Sequence, residues 1–257
     1  MNLQKYARQT SLKAIGMEGQ KKLLEKTILI VGLGGTGSAA ADLFSRLGVK
    51  KLIMIDRDRI EDTNIHRQIL YNYSDIGSFK AETAANKVME INPDIEVEFH
   101  NNTFDSSKIN LIENADLVYD GTDNMTTRFI INDACNKFNK PWVFTSANEF
   151  YGEVKGIMPG KTSCYACYNK KPEHMPSCAV TGVINTLPVN ISTFAVNIGM
   201  KIMLGENING DLYFIDVYDI DMHPIKINKN PECRSCSKRK YDYLTPYYSN
   251  MGKSILS

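Results

Sequence analysis

"ILIVGLGGTGSAAADLF", residues 28–44, decides how the rest of the chain is read. An apolar run leads into a glycine-rich turn, and a helix of small residues leaves it. Gly32, Gly34 and Gly37 fit the spacing G-x-G-x-x-G between a predicted strand and a predicted helix. Glycines let the backbone approach phosphate oxygens, and the helix behind offers unpaired N–H groups and the positive end of its dipole. Gly35 adds another position without a side chain at that approach. Asp56 ends the next predicted strand about twenty residues past Gly37, where a carboxylate accepts hydrogen bonds from ribose hydroxyls. The stretch predicts a bound nucleotide and leaves open whether it is NAD or ATP.

Strand-like and helical runs alternate outward from this turn. "TILIV" (27–31), "KLIMID" (51–56), "IEVEFH" (95–100), "ADLVYD" (115–120) and "WVFTSA" (142–147) read as strands. Helices are expected over 36–47, 80–91, 106–113 and 124–139. Such alternation predicts an α/β, Rossmann-like, doubly wound and mostly parallel sheet with helices on both faces. After Ala147 the rhythm changes: "GEVKGIMP" and the runs at 211–219 and 223–228 read as antiparallel strands around a long helix over 181–204. The expected division is a nucleotide-binding region over 1–147, an antiparallel and cysteine-bearing region of the same domain over 148–240, and a tail over 241–257.

Arg67 and Lys80 follow Asp56 in or beside loops at the carboxyl edge of that sheet, where ligands bind in such folds. Hydride transfer needs no pair of cations there. Nucleotidyl transfer does, because charge builds on the phosphates as pyrophosphate leaves. Asp123 and Asn124 stand at the tip of a later strand, where a carboxylate can hold Mg2+ or either residue can simply cap the following helix.

"YARQ" (6–9), "GLGGTG" (32–37), Asp56, "NIHRQ" (64–68), Lys80 and "TDNMTTR" (122–128) stand in register. In order and approximate spacing they resemble the activating-enzyme superfamily of MoeB, ThiF and HesA, relatives of ubiquitin-activating enzymes. The resemblance runs from about Tyr6 to Cys236 and implies a specific reaction. The C-terminal carboxylate of a small ubiquitin-like carrier protein ending in Gly-Gly attacks the α-phosphate of Mg-ATP, giving an acyl-adenylate and pyrophosphate. By position it implies that Gly35 and its neighbours approach the phosphates and that Asp56 holds the ribose. Asn64, Arg67, with Gln68 beside it, and Lys80 would engage the triphosphate, and Asp123 beside Asn124 would serve the metal. Arg8 would reach the site of the other subunit in a homodimer. Cys178 resembles the cysteine that takes an acyl or sulfur linkage in some members. A sulfur donor would be a separate protein.

Cys164-x-x-Cys167 and Cys233-x-x-Cys236 form two knuckles. Four thiolates satisfy tetrahedral Zn2+ in a closed, structural site, whereas a redox pair would need only one such motif. Cys135 lies on an apolar helical face and reads as a buried hydrophobe. Cys178 falls in a predicted loop just before a helix, a place that favours thiolate, and His174 reads as a loop histidine.

The bulk numbers narrow the setting. The 257 residues carry a formal net charge of +1, with 43% hydrophobic and 23% charged residues. That is the profile of an ordinary globular protein with no global field for nucleic acid. "MNLQKYARQTSLK" has no apolar core of a secretory signal, so the six cysteines are expected to serve metal or chemistry in the cytoplasm. The apolar stretch 183–204 is interrupted by Asn185, Pro188, Asn190 and Asn197 and reads as a buried helix, not a bilayer span. Three further enzyme courses stay open at this stage: thioester transfer through Cys178, adenylation of a modified tRNA base, and NAD-dependent oxidoreduction. A non-catalytic binding module on the same scaffold would be expected to lose Arg67 or Asp123, and both are present.

Overall fold

The computed structural model describes residues 3–170 and 182–249. Two short helices, α1 (Ala7–Thr10) and α2 (Gly16–Leu23), precede β1 (Thr27–Val31), α3 (Gly35–Leu47) and β2 (Lys51–Ile55). Next come α4 (Lys80–Ile91), β3 (Glu96–His100), α5 (Asn110–Glu113), β4 (Leu117–Asp120), α6 (Met125–Phe138) and β5 (Trp142–Asn148). The chain then makes β6 (Tyr151–Ile157), α7 (Thr186–Leu204), β7 (Leu212–Asp216) and β8 (Asp221–Ile225). All eight strands form one sheet in the order β3-β2-β1-β4-β5-β6-β7-β8. The first five are parallel and the last three pair antiparallel.

The sequence explains the split. β1, β2 and β4 are almost continuously apolar and buried on both faces, as central parallel strands must be. One apolar layer joins α2, α3, α4 and α7 to the sheet through Leu23, Phe44, Ala84, Val88, Ile191 and Ala195. The other joins α5 and α6 through Ile112, Ile130, Ile131 and Ala134, with Trp142 and Tyr165. Cys135 is buried in that second layer. The order of strands reverses at β1/β4, and a ligand crevice opens at such a switch point.

The long helix begins at Thr186, later than the sequence pattern suggests. Gly182 and Ile184 are held by Glu149 in a backbone bridge, which keeps the segment before Asn185 extended. Among the described residues α7 is the one helix long and apolar enough to cross a membrane, yet it packs on β5, β6 and α3. α5 is also shorter than the predicted 106–113, because Asp105 takes up the amide and hydroxyl of Ser107 in a turn instead. Residues 242–244 and 246–249 make short 3-10 helices, the first of them against α6, where Tyr243 stacks on Phe129.

Candidate functional site

The glycine turn occupies the switch point, and each of its glycines has its own reason. Gly32 has φ of +84°, and a Cβ there would meet Gly121 O at 2.8 Å. A Cβ on Gly37 would stand 1.9 Å from Gly32 O, and one on Gly121 2.5 Å from the same atom. The turn after β1 and the tip of β4 are therefore interlocked through bare backbone. At Gly35 the room a side chain would take is filled by Pro188, whose Cβ and Cγ would lie 2.9 and 3.0 Å from a Cβ there. Its missing side chain seats the first turn of α7. Gly34 is the open position, with only Gln68 Nε2 within 4 Å, at 3.9 Å.

Asp56 closes one side of the turn. Its Oδ2 accepts from Leu33 N at 2.6 Å and its Oδ1 from Asp58 N at 2.8 Å. Burial raises its pKa, while the nearby Lys80 charge and the two amides act the other way. Lys80 starts α4, is buried, and reaches Asp58 Oδ2 at 3.5 Å. Asn64 is buried and accepts from Glu61 N at 3.2 Å. Arg67 is half-buried, donates to Thr63 O at 2.6 Å, and brings its own carbonyl near Gly35. Gln68 is 2% exposed, and its Oε1 has no hydrogen-bond partner among the described residues. An unpaired amide oxygen at that depth is costly unless a ligand or water meets it.

Asn124 is the cap of α6, accepting from Thr127 N at 3.0 Å. Asp123 beside it is exposed and makes no hydrogen bond or ion pair among the described residues. The residues just before it abut the glycine turn, since Thr122 N would lie 3.1 Å from a Cβ on Gly32. Gln9, the neighbour of Arg8, donates to Leu47 O at the far end of α3, 3.1 Å away. Thirteen helical residues separate that end from the glycine turn, roughly 20 Å at 1.5 Å per residue. The fold therefore does not bring Arg8 to the crevice of its own chain. Cys178 and His174 lie outside the described residues.

A buried ion pair fixes the tip of β4; Asp120 carried no site role in the sequence reading, and Arg128 stood there only as the last residue of the 122–128 motif. Arg128 Nε meets Asp120 Oδ2 at 3.2 Å, while Nη2 donates to Thr122 O at 2.6 Å and Thr145 O at 2.9 Å. Asp120 is fully buried, and burial raises its pKa against the opposing charge of Arg128. Thr122 N and Oγ1 donate to its Oδ1 at 3.0 and 2.7 Å. Below the turn, Ser192 Oγ on α7 bonds with Thr36 O and Tyr119 OH at 2.8 and 3.2 Å.

The four knuckle cysteines converge. Their sulfur atoms all lie within 4.8 Å of one another, with Cys164–Cys167 at 3.8 Å, Cys164–Cys233 at 3.6 Å and Cys167–Cys236 at 3.5 Å. A tetrahedron of thiolates about 2.3 Å from a central zinc has edges of about 3.8 Å. The donor set and spacing fit that ion.

Similarity to known proteins runs along nearly the whole chain. The model of the ThiF family matches residues 6–235. The "SAMP-activating enzyme E1" of Haloferax volcanii is 33% identical over 246 residues, covering 93% of this chain and 91% of that relative. The "Sulfur carrier protein adenylyltransferase" of Thermus thermophilus is 32% identical over 245 residues, covering 91% and 90%. Among solved structures, E. coli MccB with ATP is similar, with a TM-score of 0.74 at 23% identity over 84% of this chain and 68% of that one. That likeness is one of fold.

Proposed function

The chain belongs to the ThiF family, and from that premise we propose that it adenylates the C-terminal glycine carboxylate of a small ubiquitin-like sulfur carrier. The carboxylate oxygen attacks the α-phosphorus of ATP. The bond to the α–β bridging oxygen breaks, and pyrophosphate leaves with that electron pair. The products are a carrier acyl-adenylate and pyrophosphate. No general base is needed, because the attacking carboxylate is already ionised near neutral pH. Catalysis is then positioning plus charge stabilisation.

The observation that carries this most is the open backbone at Gly34, approached only by the buried Gln68 amide whose Oε1 is unpaired among the described residues, with the Arg67 backbone beside Gly35 and the Lys80 charge near Asp56. A dehydrogenase has no use for the cations of Arg67 and Lys80. Asp56 would hold the ribose, and Asn64, Arg67, Gln68 and Lys80 the triphosphate. Asp123 is the carboxylate that would hold Mg2+, which when bound offsets charge on the departing pyrophosphate. Cys164, Cys167, Cys233 and Cys236 would hold Zn2+, a structural ion that joins the C-terminal segment to the sheet. Free thiols kept for a metal fit a reducing cytoplasm.

We assign Arg8 to the crevice of a partner copy in a homodimer, supported by its distance from the crevice of its own chain. Sulfur reaches the activated carrier from a separate donor protein. Transfer of the acyl group to Cys178 as a thioester is a second course, favoured by similarity to an E1. Cys178→Ser then keeps adenylation but loses a carrier adduct on a non-reducing gel; persistence of that adduct excludes Cys178. The main proposal is tested by offering purified protein a panel of Gly-Gly carriers with Mg-ATP. Pyrophosphate release with an intact carrier, and none with one lacking its last glycine, is expected. Release of inorganic phosphate and ADP instead would refute it.

A further inference from the structure

Asn124, Arg128, Asn132 and Asn136 stand at four-residue intervals along α6. Each lies one turn above the last, so together they form a polar ridge along one face of the helix. Its first member caps the helix beside Asp123, and its second is riveted to Asp120, Thr122 and Thr145. The last two reach the cysteine knuckles. Asn132 is 0% exposed, accepts from Tyr165 N at 2.9 Å and donates to Ser235 Oγ at 3.0 Å. Asn136 donates to the same hydroxyl at 3.0 Å. Tyr165 lies between Cys164 and Cys167, and Ser235 between Cys233 and Cys236. One buried side-chain amide thus holds the middle of both knuckles, and both of its ends are engaged.

We propose that Asn132 is a positioning residue for the tetrathiolate centre, fixing the two knuckles relative to each other and, through α6, to the loop that carries Asp123. This rests on the zinc assignment above. The chemistry is that of an outer group orienting metal ligands: it touches no metal but sets where the sulfurs stand, and loss of such a group costs about 10–100-fold in metal affinity. Ser235, also buried, is its counterpart on the second knuckle.

The test uses the full-length protein, Asn132→Ala, Ser235→Ala, the double variant and Ser235→Thr. Zinc content is measured, then the rate of zinc release to an excess of chromogenic chelator. Each alanine variant is expected to release zinc about 10–100-fold faster than the parent. The double variant should fall short of the product of the two effects, because both remove one link, and Ser235→Thr, which keeps the hydroxyl, should release slowly. Parental rates in both single variants, or full multiplication in the double, would overturn the proposal. Should Asn132→Ala fail to fold, the Ser235 pair decides alone: fast release from Ser235→Ala with slow release from Ser235→Thr supports it, and equal rates reject it. A parent protein that carries no zinc after growth in zinc rejects the metal assignment itself, and the inference with it.

Discussion

Asp56 engages both carboxylate oxygens with backbone amides, yet each oxygen keeps a further lone pair, so it can shape the glycine turn and still accept from a sugar hydroxyl. That Asp56 and the glycines share one turn was legible in their spacing along the chain, and the fold brings them together. Asp120, Arg128 and Asn132 were not legible in that way, because their partners on β5 and on the knuckles are set only by folding. The four-residue polar repeat on α6 was the one local signal. Asp133, the neighbour of Asn132, shows a related cost. Burial raises its pKa from 3.8 to about 6 even though Ser235 and Tyr243 N act to lower it. Between those values the folded chain binds more protons than the unfolded one, so this group's contribution to stability falls as pH rises through the window and stays low above it. A shift of about two units is worth at most about 3 kcal/mol. Asp133→Asn can still accept from Tyr243 N, so it should melt higher than the parent at pH 8, with the gap closing near pH 4. Equal melting temperatures at both pH values would contradict this origin.

At the scale of elements, the β–α rhythm and the change to antiparallel pairing were readable, because strand burial and helical periodicity are local patterns. The start of α7 was not, since the bridge from Glu149 to the residues before it is a long-range contact. The junction of β1, α3 and β4 makes a sharp prediction from close packing. Gly37→Ala places a methyl group onto Gly32 O and should prevent stable folding, seen as loss of a cooperative thermal transition. Gly34→Ala meets only the end of Gln68 and should fold, melting within a few degrees of the parent. It should nevertheless bind ATP at least about tenfold more weakly by calorimetry, because a methyl group then stands where phosphate approaches. Unchanged affinity in that variant would remove the turn from the nucleotide site.

At the scale of the whole molecule, the sheet brings the glycine turn and Asp123 to one edge while α1 lies at the opposite end of α3. The proposed part of Arg8 in a partner's crevice is testable at this scale. Arg8→Ala and Asp123→Ala are each expected to be inactive alone. Mixed and allowed to exchange subunits, they should recover about a quarter of parental activity, because a two-fold heterodimer rebuilds one intact site of two. No recovery, with exchange verified by a mass tag, would contradict a shared site.

The most direct measurement is carrier-dependent exchange of labelled pyrophosphate into ATP, made with the parent protein and with Asp123→Ala. Reversal of bond breaking at the α-phosphorus predicts rapid exchange only when a carrier with a free terminal glycine is present, and none in the variant. Exchange without a carrier carboxylate, undiminished exchange in Asp123→Ala, or no exchange with any member of a broad carrier panel would contradict it.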